Sequence, residues 1–255
     1  MEFSIVQWNV GTEDEANIIQ EVHRWNPMVL TSQECSENAG WCRGLNVAET
    51  AAAVLGYECF FAQGHHFVRK AGQHERHGNA ILSRFSMLEG TDQRQIKEAG
   101  EFADLNSWDT APRVYVRTAL QLPETTSLTI ATYHSAYTDW FTNDEVKRPE
   151  IDRLIVQLQL HRQRFILAGD FNSLPQSKTV QSILAETDLR YCGPEMNGGT
   201  WPNKNLHVAG RDVEADSYWM DYIFCTPDLA EKCTSAELLR TQFSDHHALR
   251  CTFEL

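Results

Sequence analysis

Residues 165–173 read FILAGDFNS. Phe165 to Ala168 form an unbroken apolar run, as in a buried strand, and Gly169 then lets another backbone approach closely. Asp170 and Asn172 stand two apart, so on extended backbone both side chains face the same way. A carboxylate beside an amide can orient water while the amide holds a phosphoryl oxygen. The residues of DFNSLP are also turn formers, and this stretch alone leaves both readings open.

Outward from this segment, strand-like runs recur along the whole chain. FSIVQWN (3–9), MVLTSQE (28–34), YECFFAQ (57–63), NAILSRF (79–85), VYVRTALQL (114–122), SLTIATYHS (127–135), WMDYIFC (219–225), AELLRT (236–241) and ALRCTFEL (248–255) are β-rich, and several alternate apolar with polar. Helical patterns are fewer: 14–25, 48–55, 144–161 and 179–186. Such a mixture predicts an α/β fold of two sheets packed face to face with helices outside, rather than a regular βαβ barrel. No repeat, low-complexity tract or Pro/Ser-rich linker interrupts it, so residues 1–255 are expected to form a single domain.

Composition narrows the classes. The 255 residues are 42% hydrophobic and 22% charged, which excludes disorder and supplies a sizeable core. A formal net charge of −13 argues against a non-specific nucleic-acid coat but not against nucleic acid as a substrate, because local cations and bound metal can supply the positive field. No apolar run reaches membrane-spanning length, and MEFSIVQWNV lacks the marks of a signal peptide, so neither membrane insertion nor secretion is expected. The 7 cysteines are odd in number and form no C-x-x-C, which predicts no disulfide framework and a reducing cytoplasm. Nothing in the sequence calls for an obligate protein partner, and a monomer is expected.

Polar residues collect where apolar strands end: Asn9, Glu34, His134, Asp170 with Asn172, and Asp221 inside WMDYIF. Such groups, gathered at the rims of buried strands, suggest one site assembled from distant segments. A buried Asp221 needs a cation or several donors, and SDHHAL offers Asp245, His246 and His247. A carboxylate that accepts from one imidazole nitrogen orients the ring and raises the basicity of the other, and His246 is expected as the partner while His247 points away. Glu34 and Asn9 are hard oxygen ligands suited to magnesium or manganese, whereas no H-E-x-x-H or cysteine cluster supports zinc. His77, Asn79 and His134 offer donors for a phosphate oxygen or a leaving group. Arg69, Lys70 and Arg76 in the loop 65–77 offer local positive charge. Trp41, Trp108, Trp140, Phe141 and Trp201 could stack bases, with Trp201 of NGGTW the first candidate.

Taken in order, QWN (7–9), SQE (32–34), HGNAILSR (77–84), YVRTAL (115–120), ATYHSA (131–136), LAGDFNS (167–173), GTW (199–201), MDYIF (220–224) and SDHHAL (244–249) resemble the endonuclease/exonuclease/phosphatase superfamily over nearly the whole chain. The resemblance implies a four-layer α/β sandwich and magnesium- or manganese-dependent hydrolysis of phosphoester bonds. It implies Glu34 as the main metal ligand with Asn9 and Asp245 near the metal, and Asp170 as the group that orients or deprotonates water. Asn172 would contact phosphate, Asp221 and His246 would form a polarised pair, and Asn79 and Arg117 would support the site and the substrate. His134 matches the histidine of pancreatic-type deoxyribonucleases, deadenylases and sphingomyelinases, where abasic-site endonucleases carry tyrosine. Trp219 and Met220 stand where many relatives have a basic residue, and Ser173 and Leu174 differ from the inositol-polyphosphate phosphatase pattern. The expected activity is that of a nuclease cleaving DNA or RNA. The alternatives are a phosphomonoesterase, a lipid or inositol-type phosphodiesterase on the same site, or an inactive binding module.

Overall fold

In a computed structural model, the structure describes residues 1–11, 13–37, 46–68, 74–88, 92–97, 101–102, 112–123, 127–138, 144–201 and 218–255. Two mixed β-sheets face each other. The first runs β12 (Cys233–Leu239), β13 (Ala248–Glu254), β1 (Glu2–Asn9), β2 (Val29–Glu37), β4 (His74–Ser83), β3 (Glu58–Val68), β6 (Glu101–Phe102). The second runs β10 (Arg190–Tyr191), β11 (Asp221–Cys225), β9 (Phe165–Asp170), β8 (Ser127–His134), β7 (Arg113–Gln121), β5 (Asp92–Lys97). Helices α1 (Glu15–Trp25) and α2 (Val47–Leu55) cover the first sheet, and α3 (Asp144–Leu158) and α4 (Lys178–Glu186) cover the second. This is the four-layer sandwich the sequence implies. Strands β5, β6 and β10 and the short α5 (Pro227–Ala230) escaped the sequence reading, being short or lacking a clean apolar alternation.

Period-two alternation in β1 sets the layers. Val6, Trp8 and Val10 join Ile18, Val22 and Trp25 of α1 under the first helical layer, while Phe3 and Ile5 enter the core between the sheets. The Trp8 and Trp25 rings meet edge to face at 5.0 Å. Helix α1 is capped at its start by the Asp14 side chain, which accepts from Asn17 N, and stops at Asn26 in the left-handed region. Because Gln7 and Asn9 continue the inward phase of Phe3 and Ile5, β1 delivers polar side chains between the sheets at one end of the sandwich.

Two glycines permit close backbone approach. A Cβ on Gly169 would sit 2.0 Å from Tyr133 O, and one on Gly78 would sit 2.1 Å from Ala62 O. Gly169 thus lets β9 lie against β8 just before Asp170. The sulfur chemistry departs from expectation: Cys192 and Cys225 form a disulfide that ties the segment after β10 to the end of β11. Cys251 Sγ lies 3.0 Å from Cys192 O, so cysteines scattered in sequence converge through the stacking of the two sheet edges. No helix among the described residues is long and apolar enough to cross a membrane.

Candidate active site

The six-stranded sheet supplies three side chains at one level. His134 is paired with Asp170 across β8 and β9, and Asp170 with Asp221 across β9 and β11. From the other sheet, Asn9 ends β1, and Glu34 enters from β2 at a bulge where Gln33 and Glu34 together oppose Asn79. Glu34 adopts φ 58, a left-handed conformation that glutamate rarely holds, and Asn172 adopts φ 45. His246 arrives from the connection before β13.

The distances make one cluster of these groups. Asn9 Nδ2 donates to Glu34 Oε1 at 3.1 Å and to Asp170 Oδ2 at 2.9 Å. Asp170 Oδ2 also lies 3.5 Å from His134 Nε2 and 3.6 Å from His246 Nε2. Asn172 Nδ2 is 3.0 Å from His134 Nε2, and its backbone N–H donates to Asp170 Oδ1 at 2.8 Å. Asp221 is wholly buried, and its Oδ2 is 2.8 Å from His246 Nδ1. His247 turns the other way, where its Nδ1 accepts from Thr241 N at 3.3 Å.

Burial raises the Asp170 carboxyl to about 7, with nearby His246 opposing the shift and Asp221 adding to it. Burial alone would discharge His246, but Asp221 and Asp170 outweigh it and hold its imidazole well above the usual range. Burial, and then the charge of Asp245, raise Glu34. A carboxylate set that resists ionisation for these reasons is a donor set that a divalent cation relieves. The chemistry of Glu34, with the Asp245 carboxylate nearby, therefore suits a hard cation. Asp170, Asp221 and His246 also offer ligand atoms within 4.8 Å of one another, but the Asp221 oxygen nearest His246 already accepts from its ring.

Three expectations need correction. Asn9 turns its amide nitrogen, not its oxygen, toward the carboxylates, and its Oδ1 accepts from Gly11 N at 3.0 Å, so it holds Glu34 and Asp170 together. Arg117 is not at the site: its Nη1 lies 3.1 Å from His161 Nε2, beyond the end of α3. Trp201 is 6% exposed, packed against Met220 and Tyr218, and its indole N–H donates to Asp245 Oδ2 at 3.1 Å, so it braces that carboxylate and offers no free face. Asn79 does reach the site's edge, donating to Val114 O at 2.9 Å beside Glu34 and His134. Arg76 is exposed and pairs with Glu37, while Arg69, Lys70, Trp41, Trp108, Trp140 and Phe141 lie outside the described residues.

Other residues of the site were missed. Arg113, 3% exposed, lines the cleft with Glu34, Asn79 and His134, four positions before the arginine expected there. Gln7 Nε2 donates to Asp221 Oδ1 at 3.2 Å, and Gln7 Oε1 accepts from Thr31 Oγ1 at 2.8 Å and from Gln33 Nε2 at 3.0 Å. Gln33 Nε2 in turn donates to Thr132 Oγ1 at 2.7 Å, which links β1, β2, β8 and β11 behind Asp221. The signal was present, since Gln7 shares the phase of Phe3 and Ile5, where alternation predicts an apolar side chain.

No curated protein sequence matches the chain. Among solved structures, an endonuclease/exonuclease/phosphatase from Beutenbergia cavernae superposes with TM-score 0.77 at 17% identity, over 100% of this chain and 72% of that one. The human Nocturnin catalytic domain, solved with a bound sulfate anion, gives 0.69 at 18% identity over 99% and 93% of the two chains. A mannosyl-6-phosphatase from Bacteroides thetaiotaomicron gives 0.70 at 14% identity over 98% of each. At such identities the likeness is one of fold. The sequence model of a family whose members are generally phosphoester hydrolases matches residues 6–246, a span that includes Asn9, Glu34, Asp170, Asp221 and His246, and the chain accordingly belongs to the endonuclease/exonuclease/phosphatase family.

Proposed function

We propose that the chain, taken as one catalytic domain over residues 1–255, is a divalent-metal-dependent phosphodiesterase whose substrate is a nucleic acid. The observation that carries the hydrolytic part of this reading is the Asp170 carboxylate, buried between two imidazoles, with an amide on each side. A carboxylate held by two amide donors between two imidazoles is placed to accept a proton. Asp170 takes a proton from the attacking water as the new P–O bond forms in line with the P–O bond that breaks, and the leaving oxygen keeps that bond's electron pair and takes up a proton from solvent. His246, held by Asp221 in its charged form, faces the negative charge that develops on the phosphoryl oxygens. His134 and the Asn172 amide orient the same oxygens, and Arg113 adds a fixed positive charge at the cleft. Magnesium or manganese held by Glu34, with Asp245 beside it, would supply Lewis-acid polarisation of a phosphoryl oxygen. A cytoplasmic, monomeric enzyme is part of this proposal, and the Cys192–Cys225 disulfide is where the cytoplasmic assignment meets its test.

The deciding experiment compares kcat/KM on oligonucleotides of increasing length, bis-p-nitrophenyl phosphate, a mononucleotide, a sugar phosphate and an inositol phosphate, in Mg²⁺ and in Mn²⁺. A gain with chain length supports the nuclease reading. Best turnover of a terminal monoester with no length effect replaces it with a phosphomonoesterase, and no hydrolysis of any substrate leaves a binding module.

A further inference from the structure

Helix α3 carries two buried charged side chains one turn apart, Lys147 and Glu150, 1% and 4% exposed. Neither belongs to the chemistry described above. Lys147 Nζ donates to Phe171 O at 3.2 Å, to Asn172 O, and to Ser173 Oγ at 2.8 Å, so the three donors of an ammonium meet three acceptors on one loop. Burial lowers its pKa to about 8, with Glu150 and Asp170 opposing, so it remains charged at neutral pH. Glu150 Oε1 accepts from Tyr133 OH, from Ser135 Oγ at 2.9 Å and from Ala136 N at 3.0 Å, on the loop that follows His134. Taking a full charge out of water is unfavourable, and an apolar side chain of similar length would fill either place without that desolvation. What the charges supply is direction: each gathers acceptors or donors of a short segment just past a strand end, beyond the last backbone bonds at Ser135 N–Asp170 O and Phe171 N–Met220 O.

The two segments are those that meet at the site. Asn172 touches His134 at 3.0 Å and Ser135 O at 3.1 Å, and it does so from φ 45, in the left-handed region that asparagine tolerates. Resting on the phosphoesterase reading, we propose that α3 is a two-pronged positioning element in which Lys147 sets Asn172, Glu150 sets His134, and together they fix the His134–Asn172 contact. Lys147 and Glu150 are positioning residues, since they act only through the loops they hold.

The test uses the full chain with Mn²⁺ and bis-p-nitrophenyl phosphate. Lys147→Met is expected to lower kcat by about 10- to 100-fold with KM nearly unchanged, the scale on which misplaced catalytic groups act. In an Asn172→Ala background the same substitution is expected to cost about twofold or less, because the group it positions is gone. An equal cost in both backgrounds, or a lower melting temperature with kcat intact, overturns the proposal. Should Lys147→Met fail to fold, the other prong decides. Glu150→Gln keeps a carbonyl acceptor for the Ser135 and Ala136 donors and is expected to keep most of kcat, whereas Glu150→Leu is expected to lose it. Equal activity of these two overturns the proposal. Deuterium uptake at residues 134–136 and 170–173 gives a readout independent of turnover. If the unaltered chain hydrolyses no phosphoester, the functional reading fails by itself, while uptake that rises in Lys147→Met or Glu150→Leu still supports the clamp and unchanged uptake overturns it.

Discussion

The two sheets bring their carboxylates to the site by different means. In the six-stranded sheet, His134, Asp170 and Asp221 stand side by side across three strands, placed by regular pairing alone. In the seven-stranded sheet, Glu34 reaches the same place only through a one-residue bulge and a left-handed backbone. Register is enforced by every pair in a ladder, because a slip by one residue would turn a whole apolar face to the wrong side. A bulge is held by its immediate neighbours, and its strained residue costs on the order of 1–3 kcal/mol that surrounding contacts must offset. The regular half should therefore be robust in position and the bulged half finely dependent on what surrounds it.

The sharpest way to separate the halves is Glu34→Gln. It should reduce phosphodiester turnover by roughly 1000-fold, the scale of a lost electrostatic centre, while the melting temperature stays the same or rises because a half-buried carboxylate repelled by Asp245 is gone. A metal titration of this variant that matched the unaltered chain would remove Glu34 from the metal site. At the partner that the loop before β13 brings to Asp221 of the regular half, His246→Ala should cost about 100-fold or more, the usual worth of a positioned imidazole, and His247→Ala, whose ring faces Thr241, only a few-fold. Equal losses would mean that the Asp221–His246 pair is not the functional one.

Smaller effects probe what lies behind each half. Gln7→Leu leaves Asp221 Oδ1 without the Gln7 donor in a wholly buried place, a loss worth about 1–3 kcal/mol, and should lower both stability and kcat, by about tenfold for the latter. If thermal melts and turnover are unchanged, the glutamine network does not support the pair. Trp201→Phe, which keeps a ring but removes the N–H to Asp245, should weaken metal activation about tenfold, the low end of the range for an outer partner of a ligand.

The pH dependence of stability also separates them. Asp170 holds its proton up to about 7 in the folded chain, whereas an unfolded aspartate releases it near 3.9. Between about pH 4 and 7 the folded state binds the extra proton, so this contribution to stability falls as pH rises through that window and is fully lost above it. The raised pKa of His246 acts with the same sign at higher pH: its contribution is present below the ordinary histidine value and lost as pH rises through the folded value. Chelator-treated protein should melt several degrees lower at pH 7.5 than at pH 5, at roughly 2–4 °C per kcal/mol for a chain of this size. Asp170→Asn should flatten the slope between pH 4 and 7, and a slope that persisted would place the buried proton elsewhere.

Much of this architecture was legible in the chain. Apolar runs and alternation located ten of the strands, and polar residues in or beside them named Glu34, His134, Asp170, Asn172, Asp221 and His246, which the fold brings into one cluster. Period-two patterning reports which way a side chain faces along a regular strand, and the apolar core enforces it. It cannot report an inserted residue, so the aim of Glu34 was decided by the bulge opposite Asn79. Nor can it say which of two arginines four apart on β7 reaches the cleft: Arg113 and Arg117 share a face by alternation, and their distance from the strand end separates them. The roles of Trp201, Lys147 and Glu150 and the meeting of Cys192 with Cys225 depend on contacts between elements far apart in sequence. Local sequence fixes the direction of a side chain along its own element, but only packing of the two sheets and their helices decides what it meets there.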